Sequence, residues 1–260
     1  MSNRVSAPRI GAAGRALLLA AVTAALTVTG AVLIPVIAPG LDSRSVQFVD
    51  VLVMASFTLI VVLLSRHRHL LWSGSVNALL IAVPAVVVLS PFVGGLKDLG
   101  PSLTLMFIVG YIATGINEEF WFRGLMLGAL STWPPMCAAA LSSALFGLAH
   151  LSNLVFGANL WITLAQVVGA ACFGFGFAAL RLRGTSIWVL AALHAVADIA
   201  LQLGDVSSAW RWGLMVGGDV VLLVFGVIAI RRLDAARATE AGAAGRRDAE
   251  RISFPSSSSV

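Results

Sequence analysis

The sequence predicts an all-α protein, a polytopic membrane bundle of about eight transmembrane helices with the N- and C-termini in the cytoplasm. Of the 260 residues, 59% are hydrophobic and only 11% are charged, whereas soluble domains have about 25% charged residues. The apolar residues form runs near the ~20 residues that a helix needs to cross a bilayer. Arginines flank alternate ends of these runs, which is typical of cytoplasmic loops.

The predicted elements follow one another along the chain. Residues 1–15 form a cytoplasmic tail with three arginines and no acid, and the next apolar run exceeds the roughly 7–15 residues of a signal-peptide core. Residues 16–232 form the transmembrane domain, and residues 233–260, rich in Ala, Arg and Ser, form a disordered cytoplasmic tail. The approximate spans are 16–38, 46–64, 70–93, 101–131, one from 136 through His150, 160–180, 185–203 and 212–230.

The positions of the basic residues exclude a nucleic-acid-binding surface. The formal net charge is +5, but the basic residues lie at span ends and in the tails, where they indicate topology. We therefore expect a multi-pass protein of the cell membrane whose partners are the lipid bilayer and a membrane-associated protein or peptide. The many arginines and single lysine favour a bacterial plasma membrane.

Three charged residues interrupt the fourth apolar run: Glu118, Glu119 and Arg123. Each charged side chain at a helix centre costs roughly 2.5–3.5 kcal/mol on insertion scales, so the cluster needs a reason. Residues four apart share a helix face, which pairs Glu119 with Arg123. Glu118 points about 100° away and faces a different space.

Further ionisable residues lie in later spans: His150 in the fifth, and His194 with Asp198 four residues on in the seventh. They can meet Glu118 only if helix four continues to about Ser131, as one helix of ~28 residues at 1.5 Å per residue. In a shared cavity a carboxylate can take a proton from water and imidazoles can share that water or donate to an oxyanion. No cofactor is firmly indicated, although Glu118, His150 and His194 are a candidate ligand set for Zn²⁺.

Three motifs in order resemble those of the CPBP family of intramembrane proteases, which includes CAAX prenyl endopeptidases and bacterial Abi proteins. The resemblance covers about residues 101–205. The motifs are Glu118-Glu119-x-x-x-Arg123, Phe146-x-x-x-His150 and His194-x-x-x-Asp198.

The resemblance implies an endopeptidase, glutamate-dependent or metal-dependent, that cleaves a membrane-associated or prenylated, CAAX-like protein or peptide. Glu118 would activate water with His150, His194 and Asp198 would surround the scissile carbonyl, and Glu119 and Arg123 would support the site. Asn is common in the family where Asp198 stands. Because an ionised Asp cannot donate a hydrogen bond, Asp198 would be protonated, orient His194 or bind a metal.

Two other classes of function use the same buried residues. A proton-coupled transporter would relay protons through Glu118, His150 and Asp198, but no repeated halves are visible in the sequence. A non-catalytic membrane scaffold would keep the fold and bind a partner protein.

Overall fold

Helices build the whole of the described fold. The computed structural model describes residues 10–253, and within them it contains no β-strand, only two isolated β-bridges. The α-helices are α1 (Ala12–Ile37), α2 (Ser43–Leu64), α3 (Ala78–Leu89), α4 (Pro101–Glu118), α5 (Leu127–Ala129), α6 (Pro135–Ala149), α7 (Leu160–Leu182), α8 (Ile187–Leu203) and α9 (Ser208–Ser253).

The long helices have the composition of membrane spans. Five are long and apolar enough to cross a bilayer: Ala12–Ile37, Ser43–Leu64, Pro135–Phe156, Leu160–Leu182 and Ser208–Glu240. Two apolar segments are shorter, Ala78–Gly94 and Ile187–Leu203. The protein is therefore an all-helical multi-pass membrane protein, while the count of eight spans and the side of the termini stay predictions.

One continuous helical run carries the Glu-Glu motif. It consists of α4, a π-helix over Glu119–Met126 and α5. Pro101 occupies its first turn, where a missing N–H costs nothing, and Pro135 starts the next helix. The predicted continuation past Gly124 is confirmed, whereas the π-helix was not predicted. π-helical turns are rare and frequently occur at functional sites.

The structure differs from the prediction in two elements. The third predicted span is divided into a 3₁₀ turn (Arg68–Leu71), α3 and a second 3₁₀ turn (Ser90–Gly94).

The second difference concerns the termini. Helix α9 continues through Ser253 and covers most of the segment expected to be disordered, because Ala, Arg and Glu are strong helix formers. Helix α1 begins at Ala12, within the predicted N-terminal tail. Residues 1–9 and 254–260 of the two predicted tails lie outside the described residues.

The π-helix lies at the centre of the bundle. Every residue from Glu119 to Leu127 is buried, and the aromatic side chains of Phe120, Trp121 and Phe122 join the main hydrophobic core. Small residues let the neighbouring helices approach closely. A Cβ at Gly115 of α4 would clash with the Ala191 carbonyl of α8.

Candidate active site

The predicted site residues converge on one cavity of about 590 Å³. Glu118 from α4, His150 from the end of α6, and His194 and Asp198 from α8 all line it. The expectation that Glu118, His150 and His194 share a pocket is confirmed. The convergence depends on the long helical run, because Glu118 lies well inside that run rather than at its end.

Glu119 and Arg123 form a fully buried ion pair beneath the cavity. Arg123 Nη1 lies 3.0 Å from Glu119 Oε1, and the two side chains are 1% and 0% exposed. The guanidinium also lies over the ring of Phe146, 4.1 Å from its centroid, where the negative ring face attracts a cation. Both contacts compensate for burying the two charges, so the pair contributes no net charge to the site.

Glu119 also contacts His194 of α8. His194 Nδ1 lies 2.7 Å from Glu119 Oε1, within the range of a charge-assisted hydrogen bond. A carboxylate paired with Arg123 is ionised and can only accept, so Nδ1 carries the proton. The ion pair thereby fixes the orientation of the imidazole and leaves its Nε2 atom facing the cavity.

Two carboxylates face this second nitrogen. His194 Nε2 lies 3.4 Å from Glu118 Oε2 and 3.7 Å from Asp198 Oδ2. If both carboxylates are ionised, His194 is an imidazolium; if His194 is neutral, one carboxyl group holds the proton. In either case at least one proton lies among the three groups and can pass between them, as general acid–base chemistry requires.

Glu118 keeps one oxygen without a partner. Its Oε2 atom is buried and makes no hydrogen bond within the described residues, since the approach to His194 is long and poorly aligned for one. The side chain as a whole is 23% exposed. Because Glu118 lines the cavity whereas the Glu119 side chain is 0% exposed, Glu118 is the carboxylate of the motif that can accept a proton from a molecule in the cavity.

The ring of His150 is held in one tautomer. Its Nδ1 atom lies 3.1 Å from the Phe146 carbonyl oxygen, which can only accept, so Nδ1 donates. The Nε2 atom of a neutral His150 is then a lone-pair acceptor. The ring packs edge-on to Phe146, with centroids 5.0 Å apart, so Phe146 separates this imidazole from the buried guanidinium.

Several cavity residues were missed or undervalued in the sequence. Asp50 of α2, Tyr111 and Asn117 line the same cavity, and the Thr58 hydroxyl donates to Asn117 Oδ1 at 2.7 Å. Asp50 was visible as a lone acid in an apolar run. Nothing in a single sequence places α2 beside α4, so its proximity could not be inferred.

The candidate zinc ligands do not form a metal site. Within residues 10–253, no three His, Cys, Asp or Glu side chains are grouped so that they could hold an ion. The Nδ1 atom of His194 is engaged by the hydrogen bond to Glu119 at 2.7 Å. We therefore derive no chemical step through zinc.

The match to a protein-family model agrees with this geometry. Residues 100–200 match the family described as "Type II CAAX prenyl endopeptidase Rce1-like". This segment of the chain is therefore similar to CAAX proteases, which supports the resemblance to the CPBP family. The matched segment contains all three motifs and every predicted site residue from Glu118 to Asp198.

This similarity to a protease family supports a peptidase that works in the membrane and gives no support to the transporter or scaffold alternatives. Comparison with curated proteins gave no significant match.

Proposed function

We propose that the protein is an intramembrane endopeptidase that hydrolyses a peptide bond with water activated by Glu118 and His150. The observation that carries the proposal is the convergence of four ionisable side chains from three helices on one cavity. The Glu118 carboxylate, which lines the cavity, accepts a proton from water, and His150 Nε2 accepts the second hydrogen bond of that water. No covalent intermediate is needed.

His194 and Asp198 stabilise the oxygen of the scissile carbonyl. As the water attacks, negative charge develops on that oxygen, and a donor aimed at it lowers the barrier. The protonated Nε2 of His194 is such a donor, held in place by Glu119 at its other nitrogen. Asp198 contributes in its protonated form, because only then can its carboxyl group donate.

Glu119 and Arg123 support the site without touching the substrate. Their ion pair is buried below His194 and fixes which nitrogen of that ring faces the cavity. The substrate is a membrane-associated protein or peptide, since the cavity lies among helices with the composition of membrane spans. Part of the family cleaves prenylated proteins, and a lipid-anchored peptide is one form that such a substrate takes.

The test uses the purified protein in lipid nanodiscs with a library of membrane-anchored peptides that carry a C-terminal reporter. We expect cleavage by the wild type and a loss of about 10²–10⁴-fold in Glu118→Gln, the range attributed to a positioned acid or base. The matched control is Glu240→Gln, which makes the same change at an exposed position of α9. Cleavage by Glu118→Gln at the wild-type rate would exclude Glu118 as the base.

A further inference from the structure

The helix bundle has two ends, and contacts between loops show which helix termini lie at each. We call the first of them the basic end. Arg15 at the start of α1 donates to the Ala129 carbonyl at the end of α5. The Ser75 N–H, in the loop before α3, donates to the Gly184 carbonyl between α7 and α8 at 2.9 Å. Arg181 donates to Ser73 in the same region. The starts of α1 and α8 and the ends of α5 and α7 therefore lie together.

The opposite end, which we call the cavity end, is joined by a second set of loop contacts. Lys97 Nζ donates to the Gln202 carbonyl at 3.2 Å, and the Asp205 N–H donates to the Gly95 carbonyl at 3.0 Å. These bonds bring the end of α3 and the start of α4 against the end of α8 and the start of α9.

The two ends carry different charges. The loops and helix termini at the cavity end hold as many acidic as basic residues: Arg44, Lys97, Arg211, Asp42, Asp98 and Asp205. Among the described residues, the charged ones at the basic end are all basic as far as the end of the last apolar run: Arg15, Arg66, Arg68, Arg181, Arg183, Arg231 and Arg232. Short loops with an excess of Arg face the cytoplasm, so the basic end is the cytoplasmic one.

The active-site cavity reaches the surface at the other end. Its exposed lining residues come from the first two turns of helices that begin there: Arg44 and Gln47 in α2, Ile162 and Gln166 in α7, and Trp212 in α9. Arg211, in the first turn of α9, lines the same mouth. Towards the basic end the cavity stops at Glu118 and His194, below which the π-helix is buried throughout.

We propose that the active-site cavity opens to the non-cytoplasmic side of the membrane and takes a membrane-anchored polypeptide presented from that side. That the bound polypeptide is a substrate rests on the proposed peptidase function. The direction in which the cavity opens rests only on the charge asymmetry and the cavity lining. A prenylated C-terminus of a cytoplasmic protein would meet the basic end of the bundle, towards which the cavity is closed. The substrate class is therefore an exported or outer-leaflet-anchored segment rather than a cytoplasmic lipidated tail.

Thiol labelling of the full chain in intact cells tests the direction. In a background with Cys137 and Cys172 replaced by Ala, single cysteines are introduced as Gln47→Cys and Gln166→Cys at the mouth and His69→Cys in an exposed loop at the basic end. A membrane-impermeant maleimide should label the two mouth positions in intact cells as fully as in permeabilised cells. It should label His69→Cys only after permeabilisation.

The opposite pattern, with His69→Cys labelled in intact cells and the mouth positions protected, would overturn the proposal. Mouth cysteines that stay unreactive even after permeabilisation would also overturn it, because they would show that the mouth is closed. The assay requires no proteolysis, so its result is separate from the loss of cleavage in Glu118→Gln that tests the proposed function.

Discussion

The same isosteric substitution, Glu to Gln, should change the stability of the fold by different amounts at the adjacent carboxylates Glu118 and Glu119. Glu119 is fully buried and shares one oxygen between Arg123 at 3.0 Å and His194 at 2.7 Å. Glu119→Gln removes the negative charge and leaves the Arg123 guanidinium buried without an ionic partner. Glu118→Gln removes a carboxylate that has no arginine partner and is 23% exposed.

The magnitude follows from the burial of the pair. Breaking a buried ion pair by removing one partner costs about 3–5 kcal/mol, because an uncompensated charge remains. The Phe146 ring under the guanidinium offsets part of this free-energy cost, by about 0.5–2 kcal/mol for a cation over an aromatic face. We therefore expect Glu119→Gln to destabilise the fold by roughly 2–4 kcal/mol. Glu118→Gln should destabilise it less, because the Glu118 side chain is 23% exposed and has no arginine partner.

The assay is reversible unfolding in mixed micelles, followed by helix content, together with cleavage at a temperature where both variants are folded. The pairwise contribution comes from a double-mutant cycle of Glu119→Gln and Arg123→Met. Removing both charges should recover part of the stability lost in Glu119→Gln, since the unpaired guanidinium is then gone. Equal stability of Glu119→Gln and wild type, or no recovery in the double variant, would refute the assignment of a buried ion pair.

Three further predictions concern packing, the fourth site residue and metal dependence. Gly174→Ala should destabilise the fold by about 1–3 kcal/mol, since the added Cβ would lie 2.6 Å from Arg123 Nη2 and 2.8 Å from Phe146 Cδ1. The measurement is thermal unfolding, and Gly217→Ala is the matched control because a Cβ there would have nothing within 4 Å. Asp198→Asn should keep cleavage within about tenfold of wild type, whereas Asp198→Leu should lose about 10²-fold or more, the loss expected when an oxyanion donor is removed. Cleavage should be unchanged after treatment with a chelator, with metal analysis to confirm that metal has been removed, because the candidate ligands do not form a three-ligand group within the described residues. Activity that disappears and returns with added zinc would contradict this.

Contacts within one helix were predictable from the sequence. Glu119 with Arg123 and His194 with Asp198 are spaced four apart, and the structure brings each pair within 4.0 Å. His150 likewise contacts Phe146, four residues before it. These contacts depend only on two side chains four residues apart lying on the same helix face, which is why spacing sufficed to find them.

Contacts between helices needed the folded structure. The sequence assigned Glu119 to Arg123 alone, but α8 brings His194 to the same oxygen and makes Glu119 the residue that orients the imidazole. The π-helix at Glu119–Met126 also escaped prediction, because its residues form an ordinary apolar run with charged members and no helix-breaking signal.

The sequence by itself determined the helical membrane class and indicated the approximate spans and the candidate site residues, since each follows from apolar length, charge position and local spacing. The tertiary structure alone decided which nitrogen of His194 faces the cavity, which further side chains line that cavity, and at which end of the bundle it opens. The physical reason is that helix formation and membrane insertion are local properties of the chain, whereas the relative rotation and depth of packed helices depend on side chains far apart in sequence.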